Sequence, residues 1–127
     1  MSSLRMMRAA LLLVGLLCPL AAQTQDPQKS EENRRFIVFI HAGGDPGGQA
    51  QRVAVALGRA GFVVRRPDNE RDRVGGPGID YFNAQDAAGA ARAARIVDAT
   101  LSRSPPVQPR FQSATKNPSG YLGVWLF

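Results

Sequence analysis

The chain has 127 residues, of which 44% are hydrophobic and 20% are charged. This length suits one domain, and the composition is that of a globular protein rather than a disordered one. Lys and Arg number 16 against 10 Asp and Glu, so the formal charge is +6, which suits anionic partners. A large multidomain enzyme is therefore excluded.

Residues 1–22 have the pattern of a signal peptide. Arg5 and Arg8 precede an apolar run over residues 9–17, and small residues follow it. The run is shorter than the roughly 20 apolar residues that cross a membrane, and no second apolar run follows. We therefore expect cleavage after Ala22, no membrane span, and a periplasmic or secreted chain. Without Arg5 and Arg8, 14 of the 16 basic residues remain against 10 acidic ones, a charge of +4.

The only cysteine, Cys18, lies inside this leader. The mature chain would then have no disulfide, no thiolate metal ligand and no cysteine nucleophile. A lipid anchor at Cys18 would favour a small residue immediately before the cysteine, where Leu17 stands. We therefore favour a cleaved leader over a lipoprotein signal.

The first half of the domain is predicted as strand, helix and strand. Residues 23–35 are polar and contain no large apolar side chain until Phe36, which predicts a flexible tether. FIVFI begins the domain at Phe36 as a buried strand. Asp45 as N-cap and Pro46 at the first helical position start a helix, which Gly61 ends.

The second half repeats this pattern. Strands are predicted over residues 62–66 and 78–82, with a charged, glycine-rich loop between them. Asn83 and Asp86 resemble a capping box at the start of a second helix. The predicted buried face of this helix consists of small and apolar residues: Ala87, Ala90, Ala91, Ala94, Val97 and Leu101.

The fold class follows from the order of these elements. Residues 102–120 contain four prolines and are expected to form a long loop, and the alternation over residues 121–127 predicts a terminal strand. The order is then βαββαβ. The compact solution for this order is the ferredoxin-like α+β fold, with two helices on one face of a four-stranded antiparallel sheet, because each βαβ unit crosses over right-handed. The domain is expected to cover residues 36–127.

Four segments carry a resemblance to a known family: VFIHAGG, ALGRAGFVV, IDYFNAQDAAGAARAARIVDATL and GYLGVWLF. Together they resemble the C-terminal domain of LytR/CpsA/Psr-type cell-envelope proteins and are similar to SPOR-like domains. The most specific piece is IDYF-x-x-x-D over residues 79–86. The resemblance implies the βαββαβ fold and, for SPOR-like members, noncatalytic binding of peptidoglycan glycan strands. Asp80 departs from it, since a basic residue is common at that position of the third strand.

Candidate catalytic groups are few. His41 is the only histidine, and we expect it to bond to the glycine turn after the first strand, because no serine lies in a G-x-S-x-G motif and no cysteine remains. GGDPGG matches neither glycine-rich phosphate motif, and His41 with Asp45 supplies two ligands where zinc sites need three or four. Glu70 and Asp72 alternate with arginines, which is typical of a solvated loop rather than of the catalytic carboxylate pair of a glycosidase. The sequence therefore predicts no catalytic residue, no metal and no cofactor.

The outer face of the sheet is the stronger candidate for binding. If Leu122, Val124 and Leu126 face the helices, the alternate residues of that strand face away. If Asp80 faces outward on the third strand, Phe82 does too, and placing Phe39 outward on the first strand would complete an aromatic platform flanked by Arg65 or Arg66. This gives five candidate ligand-binding residues: Trp125, Tyr121, Phe82, Arg65 and Phe39. Aromatic faces stack on sugar rings or nucleobases, and arginines bond to hydroxyl or acetamido groups. Ordinary core packing uses the same residue types, and residues 102–120 would cover this face if they folded back.

The sequence thus favours an exported, non-enzymatic domain that binds peptidoglycan or another anionic cell-envelope polymer. Nucleic acid is disfavoured by export and by the missing basic aromatic motif of RNA-recognition modules. The alternative is a protein-interaction module that docks on an envelope enzyme or complex through its tether and its proline-rich loop. An enzyme is the weakest hypothesis.

Overall fold

Three helices and five strands make up the part of the chain that the computed structural model describes, residues 27–42, 48–66, 76–113 and 116–127. The helices are α1 (Pro27–Asn33), α2 (Gln49–Arg59) and α3 (Ala87–Leu101), and a 3-10 turn (Ala84–Asp86) directly precedes α3. The strands are β1 (Ile37–His41), β2 (Val63–Arg65), β3 (Gly78–Tyr81), β4 (Pro109–Phe111) and β5 (Tyr121–Trp125).

The five strands form one mixed sheet in the order β2-β1-β5-β3-β4. β1 is parallel to both β2 and β5, and β3 is parallel to β4. β3 and β5 are antiparallel. The sheet therefore consists of two units, β1-α2-β2 and β3-α3-β4, which point in opposite directions and are joined by β5 in the centre.

Both long helices lie on one face of this sheet. The two units run in opposite directions and also step outward in opposite directions, so the usual right-handed crossovers place their helices on the same side. In agreement, α2 and α3 pack against each other. The largest fully buried side chains fill the space between the helices and the sheet: Val38, Val53, Leu57, Ile79, Val97, Leu122, Val124 and Leu126.

The predicted α+β class, with both helices on one face, is confirmed, but the four-stranded antiparallel ferredoxin-like sheet is wrong. β1 and β2 are direct parallel neighbours, whereas the split βαβ arrangement separates such strands by another strand. The additional strand, β4, lies inside the predicted loop over residues 102–120. It was hidden because it has three residues and begins at Pro109, which a strand tolerates only at an edge or at its first residue.

α1 occupies part of the segment predicted as a flexible tether. Asn33 at its end is buried, and its Nδ2 donates to the Ala60 carbonyl at 2.9 Å. Its Oδ1 accepts a hydrogen bond from Arg92 Nε at 2.8 Å, and Arg92 also lies 3.9 Å from a carboxylate oxygen of Glu32. These polar contacts fasten α1 to the end of α2 and to α3, so the polar composition of the segment does not make it a tether from Pro27 onward.

The predicted capping box is also wrong, because neither Asn83 nor Asp86 makes a side-chain hydrogen bond to the helix start. The buried residues of α3 are Gly89, Ala90, Ala93, Ala94 and Val97, which include three of the predicted face. Ala87, expected on that face, is exposed.

Several predictions concern residues outside the described ranges: the leader over residues 1–22, the helix start at Asp45 and Pro46, and the Glu70 and Asp72 pair. α2 itself is described from Gln49, and Gly48 before it has φ 68°.

A close approach between α3 and the start of β1 depends on Gly89. A Cβ added at Gly89 would overlap the ring of Phe36, which is buried and packs against the Phe62 ring at a centroid distance of 6.0 Å. The Arg92 guanidinium lies 5.8 Å from the centre of the same Phe36 ring. The Phe36 ring is therefore held from several sides.

We expect Gly89→Ala to lower the free energy of unfolding by about 1–3 kcal/mol, the usual cost of overpacking a filled core. Helix propensity alone would raise it by about 1 kcal/mol. Gly58→Ala in α2 is the matched control, since an added Cβ there meets nothing within 4 Å. Urea unfolding of both variants should give shifts of opposite sign. Stabilisation by both would show that Phe36 moves aside without cost.

Candidate functional site

The sheet has a second face, opposite the helices, which we call the open face. Core residues on β1 and β5, such as Val38 and Val124, alternate with residues that point to this side. Strand register places seven ring-bearing or charged side chains on it: Phe39, His41, Arg65, Asp80, Arg110, Tyr121 and Trp125. The four rings among them are half-buried.

His41 and Trp125 form a stacked pair on this face. They are directly opposite each other in the register of β1 and β5. Their ring centroids are 3.9 Å apart, and the ring planes differ by only 10°. The only histidine and the only tryptophan of the chain therefore pack face to face, so each ring covers one face of the other.

Phe39 and Tyr121 form a second pair beside the first. Their centroids are 5.4 Å apart with an interplanar angle of 61°, an edge-to-face contact. The residue directly opposite Phe39 is Gly123, which has no side chain, so the Phe39 ring contacts Tyr121 along the diagonal.

Gly123 leaves a shallow gap between these rings. A Cβ added there would lie 3.4 Å from Trp125 Nε1 and 3.9 Å from His41 Nε2. It would also lie 3.7 Å from the Cβ of Asp80, on the neighbouring strand β3. The two ring nitrogens and the Asp80 side chain therefore surround the space that a side chain at position 123 would occupy.

Asp80 and Arg110 form an ion pair at one side of the open face. Arg110 Nε lies 3.2 Å from Asp80 Oδ1, and only 7% of the Asp80 side chain is exposed. Arg110 also donates from Nη2 to the Gly76 carbonyl at 3.3 Å, and its guanidinium covers Gly78, where an added Cβ would overlap it. The charge of Asp80 is therefore balanced by a residue of β4.

Arg65 stands at the other side of the face. It is the register partner of Phe39, and it is exposed. Its Nη1 donates to the neighbouring Val64 carbonyl at 3.4 Å, and no carboxylate pairs with it among the residues described. The positive charge at the β2 edge is therefore not balanced by a described acidic group.

The structure places four of the five predicted ligand-binding residues on the open face: Phe39, Arg65, Tyr121 and Trp125. Phe82 follows the end of β3 at Tyr81, so strand alternation does not assign it to a face. Arg110 was not predicted, because β4 was not. The described part of residues 102–120 does not fold back over the face, since Val107 is buried in the core and residues 109–111 extend the sheet.

Two cavities formed by described residues lie at opposite ends of α3, away from the open face. One, of about 220 Å³, is lined by Pro77 and by residues 103–107. The other, of about 260 Å³, lies beside Asp86 and Gly120. Both are smaller than the roughly 300 Å³ at which small-molecule pockets usually begin.

Comparison with family models, curated proteins and solved structures finds no significant match to this chain. In the described ranges, no cluster of three or more His, Cys, Asp or Glu side chains is placed to hold a metal ion. None of the helices described is long and apolar enough to cross a lipid bilayer.

Asp86 fixes the start of β5, the strand that carries Tyr121 and Trp125. Its buried carboxylate accepts a hydrogen bond from the Gly120 N–H at 2.7 Å through Oδ2. Oδ1 accepts one from the Ser119 hydroxyl at 3.3 Å. Gly120 has φ 89°, a conformation that favours glycine, and an added Cβ would meet the Arg35 carbonyl oxygen at 2.6 Å.

We expect Asp86→Ala to lower the free energy of unfolding by about 1–3 kcal/mol, because it leaves the buried Gly120 N–H without its acceptor. Asp86→Asn should cost less, since the amide oxygen can accept the same bond, and Ser119→Ala should cost least because its bond is the longer one. Urea unfolding measures all three. Equal losses for Asp86→Ala and Asp86→Asn would contradict this account.

Proposed function

We propose that this chain is an exported, non-enzymatic module that binds a cell-envelope glycan strand, such as that of peptidoglycan, through the open face. The observation that supports this most is the pair of ring contacts, Phe39 with Tyr121 and His41 with Trp125, on the side of the sheet away from the helices. Aromatic rings held on one face of a sheet can stack against sugar rings through the ring faces that their neighbours leave uncovered.

The distribution of charge supports an anionic polymer as the ligand. Three described aspartates are engaged internally: Asp80 with Arg110, Asp86 with the Ser119–Gly120 turn, and Asp98, which accepts the Val107 N–H at 2.8 Å. The remaining described acidic residues, Glu31 and Glu32, are both on α1. The other charged side chains of the described residues are therefore basic. A basic surface attracts polyanions.

The sequence supports the same proposal from another side. The leader pattern over residues 1–22 favours export, and the IDYF-x-x-x-D motif resembles envelope-associated domains. The mixed five-stranded sheet differs from the ferredoxin-like arrangement that this resemblance implies. The open face, rather than the resemblance, is therefore the main support.

We propose binding without catalysis because the His41 ring and the Asp80 carboxylate, the open-face groups that could act as an acid or a base, both contact other side chains of the chain. The His41 ring is stacked on Trp125, and the Asp80 carboxylate is paired with Arg110. No described serine stands in a G-x-S-x-G motif beside them.

Trp125→Ala should weaken co-sedimentation of the mature chain with purified insoluble peptidoglycan by about threefold to tenfold, the range expected for losing one aromatic contact. Tyr121→Ala should act in the same direction. Val55→Ala is the matched control, since Val55 is exposed on α2, on the other side of the molecule. Circular dichroism should be unchanged in all three variants. Retention that is equal for Trp125→Ala and wild type would refute the proposal.

A salt series separates stacking from charge attraction. At high salt, contacts between exposed charges are screened within a few ångströms. Retention by aromatic stacking should survive this, and the loss caused by Trp125→Ala should remain. If wild-type retention disappears at modest salt, the chain is held by its charge alone.

Docking on an envelope protein is the second candidate. Its original basis, the tether and the proline-rich loop, is reduced because α1 and β4 pack into the domain. Two exposed aromatic side chains still favour it, Phe111 with 50% and Phe127 with 46% of their surface exposed. A defined partner that binds wild type but not Phe111→Ser, together with no polymer retention, would favour this candidate.

A further inference from the structure

We infer that the glycan bound by the open face carries carboxylate groups on its sugar units, and that Arg65, Phe39 and Tyr121 form the subsite for one such acidic sugar. This inference rests on the proposed function and adds the chemical class of the ligand.

The three residues lie together on neighbouring strands. Arg65 on β2 is the register partner of Phe39 on β1, so the two side chains leave the same face of the sheet. Adjacent strands are roughly 4.8 Å apart. The Phe39 ring in turn makes its edge-to-face contact with Tyr121 on β5. The two rings are inclined to each other by 61°, so a sugar ring could lie flat on only one of them. A sugar ring stacked on Phe39, the register partner of Arg65, would have its edge toward the guanidinium.

The positive charge of Arg65 determines which chemical group on the edge of the sugar ring would bind it best. Arg110, the other described arginine of this face, is paired with Asp80, whereas among the described residues Arg65 bonds to the Val64 carbonyl at 3.4 Å and to no carboxylate. The planar guanidinium matches a carboxylate through two parallel N–H···O bonds, which are stronger than bonds to a neutral hydroxyl. A carboxylated sugar would therefore gain both a stacking contact and a charge-assisted contact.

A phosphodiester chain without sugar rings fits this subsite less well. It can bind Arg65, but it has no ring to stack on the aromatic pair of Phe39 and Tyr121. A neutral glycan has the opposite defect, because it stacks but leaves the guanidinium to water. Only a ligand with both a sugar ring and a carboxylate would contact the aromatic pair and also bind the Arg65 guanidinium.

The test compares two polymers that differ only in charge. The mature chain is titrated calorimetrically with an oligogalacturonide long enough to cross the sheet, and with the same oligomer after complete methyl esterification. Wild type should bind the acidic form at least about tenfold more tightly, since a charge-assisted bond is worth about 1.5 kcal/mol or more. A poly(glycerol phosphate) of similar charge should bind more weakly than the acidic glycan.

Arg65→Gln should remove most of the preference for the acidic form, leaving the general attraction of the basic surface, while the ester still binds as it does to wild type. Arg65→Lys should keep part of the preference, because a point charge lacks the bidentate geometry. Arg59→Gln is the matched control. It removes the same charge from the last turn of α2, on the helix side of the sheet, and should leave the preference intact.

Equal affinity of wild type for the acid and the ester would overturn the inference, and so would an equal loss in Arg65→Gln and Arg59→Gln. If Trp125-dependent binding to peptidoglycan persisted in either case, the proposed function would stand without this subsite. Binding to none of the polymers would overturn the inference, and with no retention on peptidoglycan it would overturn the proposed function as well.

Discussion

The pairing of β5 with both β1 and β3 is the interaction on which the rest of the structure depends. Neither βαβ unit pairs with the other directly, so the sheet is continuous only through this strand. One side of β5 contributes Leu122 and Val124 to the core, and the other side presents Tyr121, Gly123 and Trp125 on the open face. A change that shifts the register of β5 by one residue would exchange these two sets, because side chains alternate along a strand. The buried core therefore fixes the register of the candidate binding site.

The position of β5 in the chain has a consequence for folding. It pairs residues 121–125 with β1 and β3, so the pairings that complete the sheet join segments that are far apart in the sequence. The contacts within each βαβ unit are more local, and local contacts form at a lower entropic cost. The Asp86 carboxylate reaches from the start of α3 to the Gly120 N–H, immediately before β5. The second unit thus holds the point at which the final strand must begin.

Most of the elements could be predicted from the sequence, but their arrangement could not. The apolar runs at residues 36–40 and 62–66 and the alternation at the C-terminus mark β1, β2 and β5 because burial imposes a period on the residues. That period is the same whether a neighbouring strand is parallel or antiparallel, which is why the sheet was given the wrong topology. β4 was not predicted because three residues that begin with a proline are too few to show the alternation of a strand. Arg110, which lies on β4, was missed for the same reason. α1 escaped because its attachment depends on Asn33, whose role is visible only once Ala60 and Arg92 are near. Alternation groups Tyr121 with Trp125 whatever the strand direction, whereas the outward placement of Phe39 and Arg65 was an assumption about parity, which the register of β1 and β2 agrees with.

Stacking and charge are separated on the open face. The ring pairs follow β1 and β5 in the middle of the sheet, whereas Arg65 and Arg110 lie on the outer strands β2 and β4. The strands hold these groups in fixed positions, so little conformational freedom would be lost when an extended ligand binds. A ligand that followed the ring pairs would pass between Arg110, which is paired with Asp80, and Arg65, which pairs with no carboxylate among the residues described. The two sides of the face therefore differ in charge although both end in a guanidinium, and a polymer with acidic groups along one edge would bind in one orientation rather than two.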